Sequence, residues 1–280
     1  MSKRGILRRS IYKSPAQLRL MVDPGRATAA ALRAMKDNIE VGMTTLEVDA
    51  IAEKAIRDFG GEPNFMLQGT YKHTICANVN EHVVHAIPND RPLMPGDMVS
   101  LDVGAVIKGW NGDAAITVVL PDPERPELTA RQEELSRVTR EAMWHGIARL
   151  ARAKHLNEVG EAIAAHVKKE SNFSIVEEYI GHGIGRSMHE APPVFNYPVD
   201  FDGPEVKPGL AVAIEPIISE GAPDTIVQPD GWTVSMADGK MSCQWEHSVA
   251  VHQNGIWVLT AEDGGAEGLA SFGITPKPIP

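Results

Sequence analysis

Several acidic residues of this 280-residue chain stand inside or beside strongly apolar segments. Asp102 lies within the apolar run 99–107, and Asp113 follows it eleven residues later. Nearer the C-terminal end, Glu215 and Glu246 also adjoin apolar segments. Burying an unpaired carboxylate is very costly. One such acid would predict backbone amides or an arginine as its partner, whereas four of them favour bound cations.

A tight turn would bring two of these acids together. Lys108-Gly109 has the composition of a two-residue hairpin turn. With that turn, Gly104 lies opposite Asp113, and Asp102 becomes a diagonal neighbour of Asp113, about 7 Å away at the backbone. The two carboxylates would repel each other unless a cation lay between them, and Gly104 would leave room for one. A slip of one residue would move an acid to the other face of the sheet.

One histidine completes the set of candidate ligands. His182 lies in Gly-His-Gly-Ile-Gly, where flanking glycines let the backbone approach closely and leave the imidazole accessible. This segment lacks the spacing of a dinucleotide-binding fingerprint. Four acids and one imidazole without cysteine suit two ions of Mn, Fe, Co or Zn. Pairs of metal ions bridged by carboxylates occur in aminopeptidases.

A short internal repeat predicts how the chain is organised. Residues 95–102 (PGDMVSLD) align with residues 208–215 (PGLAVAIE). Each segment begins with a Pro-Gly turn, enters an apolar strand and has an acid at the same position. We therefore predict two α/β halves related by an approximate two-fold axis, forming one domain with the site between them.

The elements that position these residues can be predicted locally. In the first half, a helix should run from Ser14 toward Asn38, with a kink or break at Pro24. A second helix should begin at the capping box of Thr44 and Glu47 and end near Gly60. Strands are expected at 74–84 and 98–120, and in the second half near 175, at 210–219 and at 244–251.

The second half repeats the helical pattern. Thr129 and Gln132 have capping-box spacing and would open a long helix. One face of that helix would carry Leu135, Val138, Ala142 and Leu150. Asn157 would cap a shorter helix that ends near Lys169.

Composition limits the class of protein and its partners. Hydrophobic residues make up 43% of the chain and charged residues 23%, as in soluble globular proteins. The net charge of −10 argues against specific nucleic acid or an anionic membrane as the partner. A basic run at residues 3–9 is interpreted as a solvated tail or as a contact with a polyanion such as ribosomal RNA. Two cysteines, no secretory signal and no long apolar run favour the cytoplasm, and we expect a monomer.

Five motifs in order carry a family resemblance. They are Val83-Val84-His85-Ala86-Ile87-Pro88, the pair Asp102 and Asp113, Gly-His-Gly-Ile-Gly at 181–185 followed by His189, Ile214-Glu215-Pro216, and Trp245-Glu246-His247. Over about residues 14–260 the chain resembles the type I methionine aminopeptidases. That resemblance implies the α+β pita-bread fold and a hydrolase that removes the N-terminal methionine from peptides and nascent chains, preferring a small second residue.

The resemblance also implies a role for each matching residue. Asp113 and Glu246 would bridge two divalent ions, Co(II), Mn(II), Fe(II) or Zn(II), Asp102 would complete one ion, and His182 with Glu215 the other. Glu215 would also transfer a proton, while His85 and His189 would contact the substrate without binding metal. Tyr71, Cys76, Met188 and Trp232 would line the methionine pocket. From the residues alone, Cys76 could equally be a small buried apolar residue, and the two aromatic residues could belong to the core.

The sequence departs from the family at two positions and leaves alternatives open. Met188 stands where the family usually has an aromatic residue, and Trp245 where it usually has tyrosine. We expect a basic tail at 1–13, a catalytic domain at 14–262 with halves of about 14–120 and 129–262, and a C-terminal tail at 263–280. A proline-specific dipeptidase or aminopeptidase of the same fold usually has a larger N-terminal domain than the thirteen residues before Ser14. A non-catalytic binding protein would typically have lost ligands.

Overall fold

The computed structural model describes residues 10–280, so the predicted basic run at 3–9 lies outside the described part. In that part the helices are α1 (Pro15–Leu20), α2 (Val22–Asn38), α3 (Thr45–Asp58), α4 (Pro126–Leu150), α5 (Glu158–Glu170) and α6 (Ala266–Ala270), with a short 3-10 helix at Phe65–Leu67. The strands of the first half are β1 (Glu62–Pro63), β2 (Ile75–Val79), β3 (His82–Val84), β4 (Met98–Ile107) and β5 (Trp110–Val119). Those of the second half are β6 (Ser174–Ile175), β7 (Gly181–Gly183), β8 (Glu190–Val194), β9 (Ala211–Ile214), β10 (Ile217–Ser219), β11 (Thr225–Val227), β12 (Val234–Met236), β13 (Ser242–Gln244), β14 (His247–His252) and β15 (Gly255–Val258).

Two larger sheets form the centre of the molecule. In the first half β4 pairs with β1, β2 and β5, and in the second half the strand order is β15-β14-β9-β7-β8. The sheets meet where β5 reaches the segment between β13 and β14. There Ala115 N donates to Glu246 O (3.3 Å) and Glu246 N donates to Ala115 O (2.9 Å). Two smaller three-stranded sheets, β13-β10-β6 and β11-β12-β3, flank this seam.

The two halves are built alike. Helices α2 and α3 cover the sheet of β2, β4 and β5, and α4 and α5 cover strands of the second half. Leu135, Val138, Ala142 and Leu150 of α4 are all buried, which confirms the predicted apolar face. The repeated Pro-Gly turns correspond as well, because Gly96 and Gly209 both have positive φ angles, 85° and 103°.

The first two helices differ from expectation at one point. The break falls at Met21, between α1 and α2, and Pro24 lies within the first turn of α2. Proline is tolerated in a first turn because the amides there have no partner within the helix. The predicted break in this helix is therefore present, but it lies three residues before Pro24. The capping box before α3 is confirmed, since Thr44 Oγ1 accepts from Glu47 N (3.2 Å) and Thr44 N donates to Glu47 Oε2 (2.7 Å).

The helices of the second half begin differently from the prediction. Helix α4 starts at Pro126, so Thr129 lies inside it and is not its N-cap. Thr129 Oγ1 instead accepts a hydrogen bond from Asp122 N, and Gln132 donates to the carbonyl oxygen of Gly96. Helix α5 does begin after Asn157. That side chain donates to the carbonyl oxygen of Phe201, however, and does not cap the helix.

Both ends of the described chain pack against its body. Lys13, within the segment predicted to be a tail, has a buried side chain. After residue 262, Leu269 of α6 is buried in the core of the second half, and Lys277 N donates to Ile256 O (3.0 Å). The boundaries of the predicted domain stay predictions. None of the described helices is both long and apolar enough to cross a membrane.

Close backbone contacts hold α2 against the strand that carries Asp113. A Cβ atom on Gly112 of β5 would lie 2.7 Å from the carbonyl oxygen of Pro24 and 2.8 Å from the nitrogen of Gly25. Backbone atoms cannot rotate away as a flexible side chain can. The start of α2 and strand β5 must therefore separate if this glycine gains a side chain.

We expect Gly112→Ala to lower the free energy of unfolding by about 1–3 kcal/mol, the usual cost of overpacking. Urea unfolding followed by circular dichroism measures it. Gly61→Ala is the matched control, because its Cβ atom would lie 3.2 Å from a methyl group of Ile56 and 3.3 Å from the carbonyl oxygen of Val106, so its contacts are looser than those at Gly112. Equal unfolding midpoints for Gly112→Ala and the wild type would refute the close contact.

Candidate metal centre

The hairpin that carries the first two acids has the predicted register. Ile107 pairs with Trp110 across a two-residue turn, and Gly104 pairs with Asp113. Both turn residues, Lys108 and Gly109, have positive φ angles (53° and 70°), as the mirror-image hairpin turns require. Because side chains alternate along a strand, Asp102 and Asp113 lie on the same face of the sheet.

The space above Gly104 is filled by protein side chains, whereas the sequence predicted an ion there. A Cβ atom on Gly104 would lie 3.0 Å from Cβ of Asn64 and 3.4 Å from Cε of Met188. The glycine therefore makes room for these two side chains, and the expectation that it directly leaves room for an ion was wrong.

The five candidate ligands come together from both halves. Strands β4 and β5 supply Asp102 and Asp113, β7 supplies His182, and the acids Glu215 and Glu246 lie just after β9 and just before β14. Oxygen atoms of Asp102, Asp113 and Glu246 lie within 4.8 Å of one another. His182, Glu215 and Glu246 form a second group of the same size, which shares Glu246 with the first. His182 Nε2 is 3.4 Å from Glu215 Oε1 and 3.7 Å from Asp113 Oδ2.

Burial governs the electrostatics of this cluster. It raises the pKa of Asp102 to about 7, and it raises those of Asp113, Glu215 and Glu246 well above the usual range. Repulsion from neighbouring carboxylates adds to the effect on the last three acids. The site thus strongly disfavours four free negative charges, and bound cations would remove that penalty.

His182 is in the form that a metal requires. Burial lowers its pKa to about 4, so the imidazole is neutral at pH 7. Its Nδ1 lies 3.0 Å from the carbonyl oxygen of Gly183, which can only accept, so Nδ1 carries the hydrogen. The lone pair of Nε2 therefore faces the carboxylates. Such a hydrogen bond commonly orients histidine ligands of metals.

Buried oxygen atoms that lack hydrogen-bond partners indicate that this site suits a cation. Asp102 Oδ1, Asp113 Oδ1 and Glu246 Oε1 are buried and have no hydrogen-bond partner among the described residues. Buried polar atoms in native proteins nearly always have a partner. A donor set of carboxylate oxygens with one imidazole nitrogen suits divalent first-row metals. The residues therefore fit the group that the sequence predicted, while the role of each residue stays a prediction.

His189 also comes close to the cluster. One of its ring nitrogens lies within 4.8 Å of ligand atoms of Asp113 and His182. The rings of His182 and His189 meet edge to face with centroids 4.4 Å apart. Distance alone would thus allow His189 to bind metal, whereas the family resemblance implies a contact with the substrate. The metal content of a His189 variant distinguishes these two roles.

A cavity of about 730 Å³ opens directly onto the acids. Its lining includes His85, His189 and all four predicted pocket residues, Tyr71, Cys76, Met188 and Trp232. Cys76 lies beside Asp102 in the register of β2 and β4, and burial raises the pKa of its thiol, which keeps it neutral. Tyr71 and Trp232 pack edge to face, with ring centroids 5.1 Å apart.

Of the two departures from the family, only Met188 lies in the cavity wall. The indole nitrogen of Trp245 donates to Ser136 Oγ of α4 (3.1 Å), away from the cavity. Some lining residues were not predicted, namely Phe65, Gln68, Tyr179 and Gln244. An aromatic residue just after Asn64 and a tyrosine two residues before Gly181 were the available signals in the sequence.

Comparison with known proteins agrees with this geometry. The sequence profile of metallopeptidase family M24 matches residues 19–253. The chain belongs to metallopeptidase family M24. Methionine aminopeptidase 1 of Mycobacterium tuberculosis is 41% identical over 254 residues, which are 89% of this chain and 94% of that relative. The predicted resemblance is therefore confirmed.

Solved structures support the fold of this M24 peptidase. The crystal structure of methionine aminopeptidase from Rickettsia prowazekii matches with a TM-score of 0.83 and 32% identity, over 89% of this chain and 98% of that chain. The pita-bread fold is thereby confirmed. Prolidase from Pyrococcus furiosus matches with a TM-score of 0.66 and 22% identity, over 89% of this chain and 65% of that chain, which is a likeness of fold. Membership of a metallopeptidase family implies the use of divalent metal.

We expect Asp113→Asn to raise the melting temperature of the chelated M24 peptidase at pH 8. Burial and the neighbouring carboxylates raise the pKa of Asp113 above that of the unfolded chain, so this acid destabilises the metal-free fold at pH 8 and its replacement by asparagine stabilises it. The stabilisation that Mn(II) confers on the wild type should shrink strongly, because a ligand is lost. Thermal unfolding with and without Mn(II) measures both effects.

Asp122→Asn is the control for this prediction. Asp122 is already paired with Arg125 at 2.5 Å, so its neutralisation should not raise the melting temperature. A lower melting temperature for chelated Asp113→Asn than for the chelated wild type would contradict the repulsion within the cluster.

Proposed function

We propose that this chain is a methionine aminopeptidase that removes the N-terminal methionine from peptides and nascent proteins. The observation that carries the proposal is a cluster of four acids and a histidine at the end of a cavity lined by Met188, Cys76 and aromatic rings. Two M24 relatives that are 36% and 41% identical over 89% of this chain are methionine aminopeptidases.

We infer that this cluster would hold two metal ions, with Asp113 and Glu246 as the ligands shared between them. Glu246 belongs both to the group with His182 and Glu215 and to the group with Asp102 and Asp113. Four carboxylates would balance the charge of two divalent ions. Co(II), Mn(II), Fe(II) and Zn(II) all accept this donor set. When bound, such a pair would activate a water molecule near neutral pH and polarise the scissile carbonyl.

The chain's own side chains would handle the protons and position the substrate. Glu215 lies beside His182, with Oε1 3.4 Å from His182 Nε2, and its mostly buried carboxylate would accept a proton and pass it on. His189 would donate to the carbonyl oxygen as negative charge develops there. Burial lowers the pKa values of His189 and His85, so both imidazoles are neutral at pH 7 and can still donate one N–H.

His85 is a candidate for contact with the leaving amine. It has a left-handed backbone, with φ 61°, and its ring packs edge to face against Tyr179 and Trp232. That arrangement fixes the imidazole at the cavity wall. Crowding by these rings favours a small residue, such as Ala, Gly, Ser or Thr, after the methionine.

The chemistry of the pocket favours an unbranched thioether side chain. Cys76 and Met188 contribute polarisable sulfur atoms, and Phe65, Tyr71 and Trp232 contribute aromatic walls. Sulfur and aromatic groups attract each other weakly but specifically. A longer or branched side chain would have to displace Met188, whose methyl group packs over Gly104.

The cellular setting of the enzyme is part of the proposal. Nascent chains would be its substrates in the cytoplasm, where a reducing environment agrees with two free buried thiols, Cys76 and Cys243. A monomeric state and a ribosome contact through the basic run at 3–9 stay predictions.

We expect the metal-loaded protein to hydrolyse Met-Ala-Ser and to leave Ala-Pro and Gly-Pro peptides intact. A missing contact in an apolar pocket costs about 1–3 kcal/mol, so turnover should fall slightly for norleucine and strongly for alanine at the first position. Chelation should abolish turnover, and Mn(II) or Co(II) should restore it. A peptide panel with liquid chromatography measures these rates.

Two outcomes of the panel would contradict the proposal. Equal turnover of Leu-Ala-Ser and Met-Ala-Ser would mean that the methionine pocket is wrong, even with a correct metal site. Preferential hydrolysis of Gly-Pro would instead identify a proline-specific peptidase.

We expect His189→Ala to lower kcat by about 10²-fold, as loss of one oxyanion donor does. KM and the metal content of the protein should change little, because His189 acts on the reacting carbonyl. Steady-state kinetics and elemental analysis of the same preparation measure both. Loss of one metal equivalent from the variant would make His189 a ligand instead.

A further inference from the structure

Met188 and His189 lie in a short segment that follows β7 and ends at Glu190, the first residue of β8, which pairs with Gly183 of β7. We call residues 185–190 the His189 loop. At its first residue, the carbonyl oxygen of Gly185 accepts from both the backbone nitrogen (3.0 Å) and the side-chain amide (2.9 Å) of Asn111. Next to it, Arg186 lies 4.6 Å over the ring of Trp110 and donates to the carbonyl oxygen of Lys108 (3.1 Å). The β4–β5 hairpin thus holds the first end of the loop.

At the second end, a carboxylate adds to the pairing of Glu190 with Gly183. Glu190 directly follows His189, and its Oε1 accepts from the backbone nitrogen of Ser187 (3.0 Å). Its Oε2 lies 3.0 Å from Nζ of Lys13. One carboxylate therefore ties the loop to itself and to a residue far away in the chain.

Lys13 is buried and packs against the body of the protein. Its side chain is only 6% exposed, which is rare for lysine. Its backbone nitrogen donates to the carbonyl oxygen of Gly209 (2.7 Å), in the Pro-Gly turn before β9. Its Cε atom fills the space above Gly185, where a Cβ atom would lie 2.8 Å away. Lys13 therefore packs under the loop as well as pairing with it.

We propose that Lys13 is a positioning residue for His189 and acts through Glu190; this rests on the proposed function. With Lys13 in place, Glu190 stays turned inward and holds the backbone of Ser187, so the two residues between them, Met188 and His189, keep one conformation. Without it, a half-buried carboxylate has lost its cation and gains by turning toward water. The loop then loses the hydrogen bond between Ser187 and Glu190, and His189 moves relative to the acids.

The first test is Lys13→Met, which keeps the length and apolar stem of the side chain and removes its charge. A displacement of about 1 Å in a reacting group can cost about 10²-fold. We expect kcat for Met-Ala-Ser to fall by about 10- to 10²-fold, with an unchanged metal content. Lys54→Met is the matched control, because Lys54 pairs with Asp58 on the exposed face of α3. It should keep the wild-type kcat.

A double-mutant cycle separates positioning from a general structural role. If Lys13 acts through His189, adding Lys13→Met to His189→Ala should cause little further loss of kcat, because the group to be positioned is already absent. General damage to the fold would instead lower kcat by the same factor in both backgrounds. Such additive losses, or a wild-type kcat for Lys13→Met, would overturn the proposal.

Two further variants keep the proposal testable if the Lys13→Met protein does not fold. Gly185→Ala keeps both charges but wedges a methyl group between them, since its Cβ would lie 2.8 Å from Lys13 Cε and 2.9 Å from Glu190 Oε2. It should lower kcat in the same non-additive way. Lys13→Arg keeps the charge and should retain more activity than Lys13→Met, and equal activities of these two variants would count against the ion pair.

The wild-type protein in the same assay distinguishes failure of the proposed function from failure of the positioning role of Lys13. If the wild type does not hydrolyse Met-Ala-Ser in the presence of Mn(II), the proposed function fails. If it does, and the variants of Lys13 and Gly185 match it, only the positioning role fails.

Discussion

Repulsion among four buried carboxylates is the constraint on which the rest of this structure depends. Two unit charges 4 Å apart interact by about 4 kcal/mol at an effective dielectric constant of about 20. Several such pairs occur here, since oxygen atoms of Asp102, Asp113 and Glu246 come within 4.8 Å of one another and those of Glu215 and Glu246 do the same. A flexible scaffold would relieve this repulsion by moving apart. The sheets, the seam and the glycine contacts that oppose such movement therefore contribute to the site as directly as the acids do.

The seam between the two halves holds the acids at fixed positions. Asp113 of β5 and Glu246 before β14 are next to the reciprocal backbone pair of Ala115 and Glu246. On one side of this pair, Ser248 Oγ donates to the carbonyl oxygen of Asp113 (2.8 Å) and accepts from its nitrogen (3.2 Å). On the other side, Thr117 Oγ1 donates to the carbonyl oxygen of Gln244 (2.7 Å). Hydroxyl groups thus complete the pairing where the strands diverge, and no backbone polar group of Asp113 is left without a partner.

The cavity wall is held by a second set of polar contacts. Gln68 donates to Asn64 Oδ1 (2.8 Å), Asn64 donates to Asn111, and Asn111 donates to Gly185. This chain of hydrogen bonds links the cavity lining near Phe65 to the His189 loop. Asn64 and Asn111 are buried, so breaking one bond would leave an unpaired amide in the interior. The apolar pocket and the acidic cluster therefore share one rigid support.

The sequence by itself determined the local features of this protein. The two-residue turn and the alternation of side chains predicted the register of β4 and β5, and with it the common face of Asp102 and Asp113, because both depend on neighbours in the chain. The capping box at Thr44 and the apolar face of α4 were predictable for the same reason. The order of the five motifs indicated the family and with it the fold, while the roles of the site residues stay predictions.

Only the tertiary structure decided contacts between distant segments. It filled the space above Gly104 with Asn64 and Met188, where local reasoning expected an ion. It used Thr129 and Gln132 to bond Asp122 and Gly96, so that α4 begins at Pro126 instead. It buried Lys13 against Glu190, although this residue fell within the expected tail at 1–13. In each case a hydrogen bond, an ion pair or close packing with a residue remote in sequence outweighed a local preference worth about 1 kcal/mol.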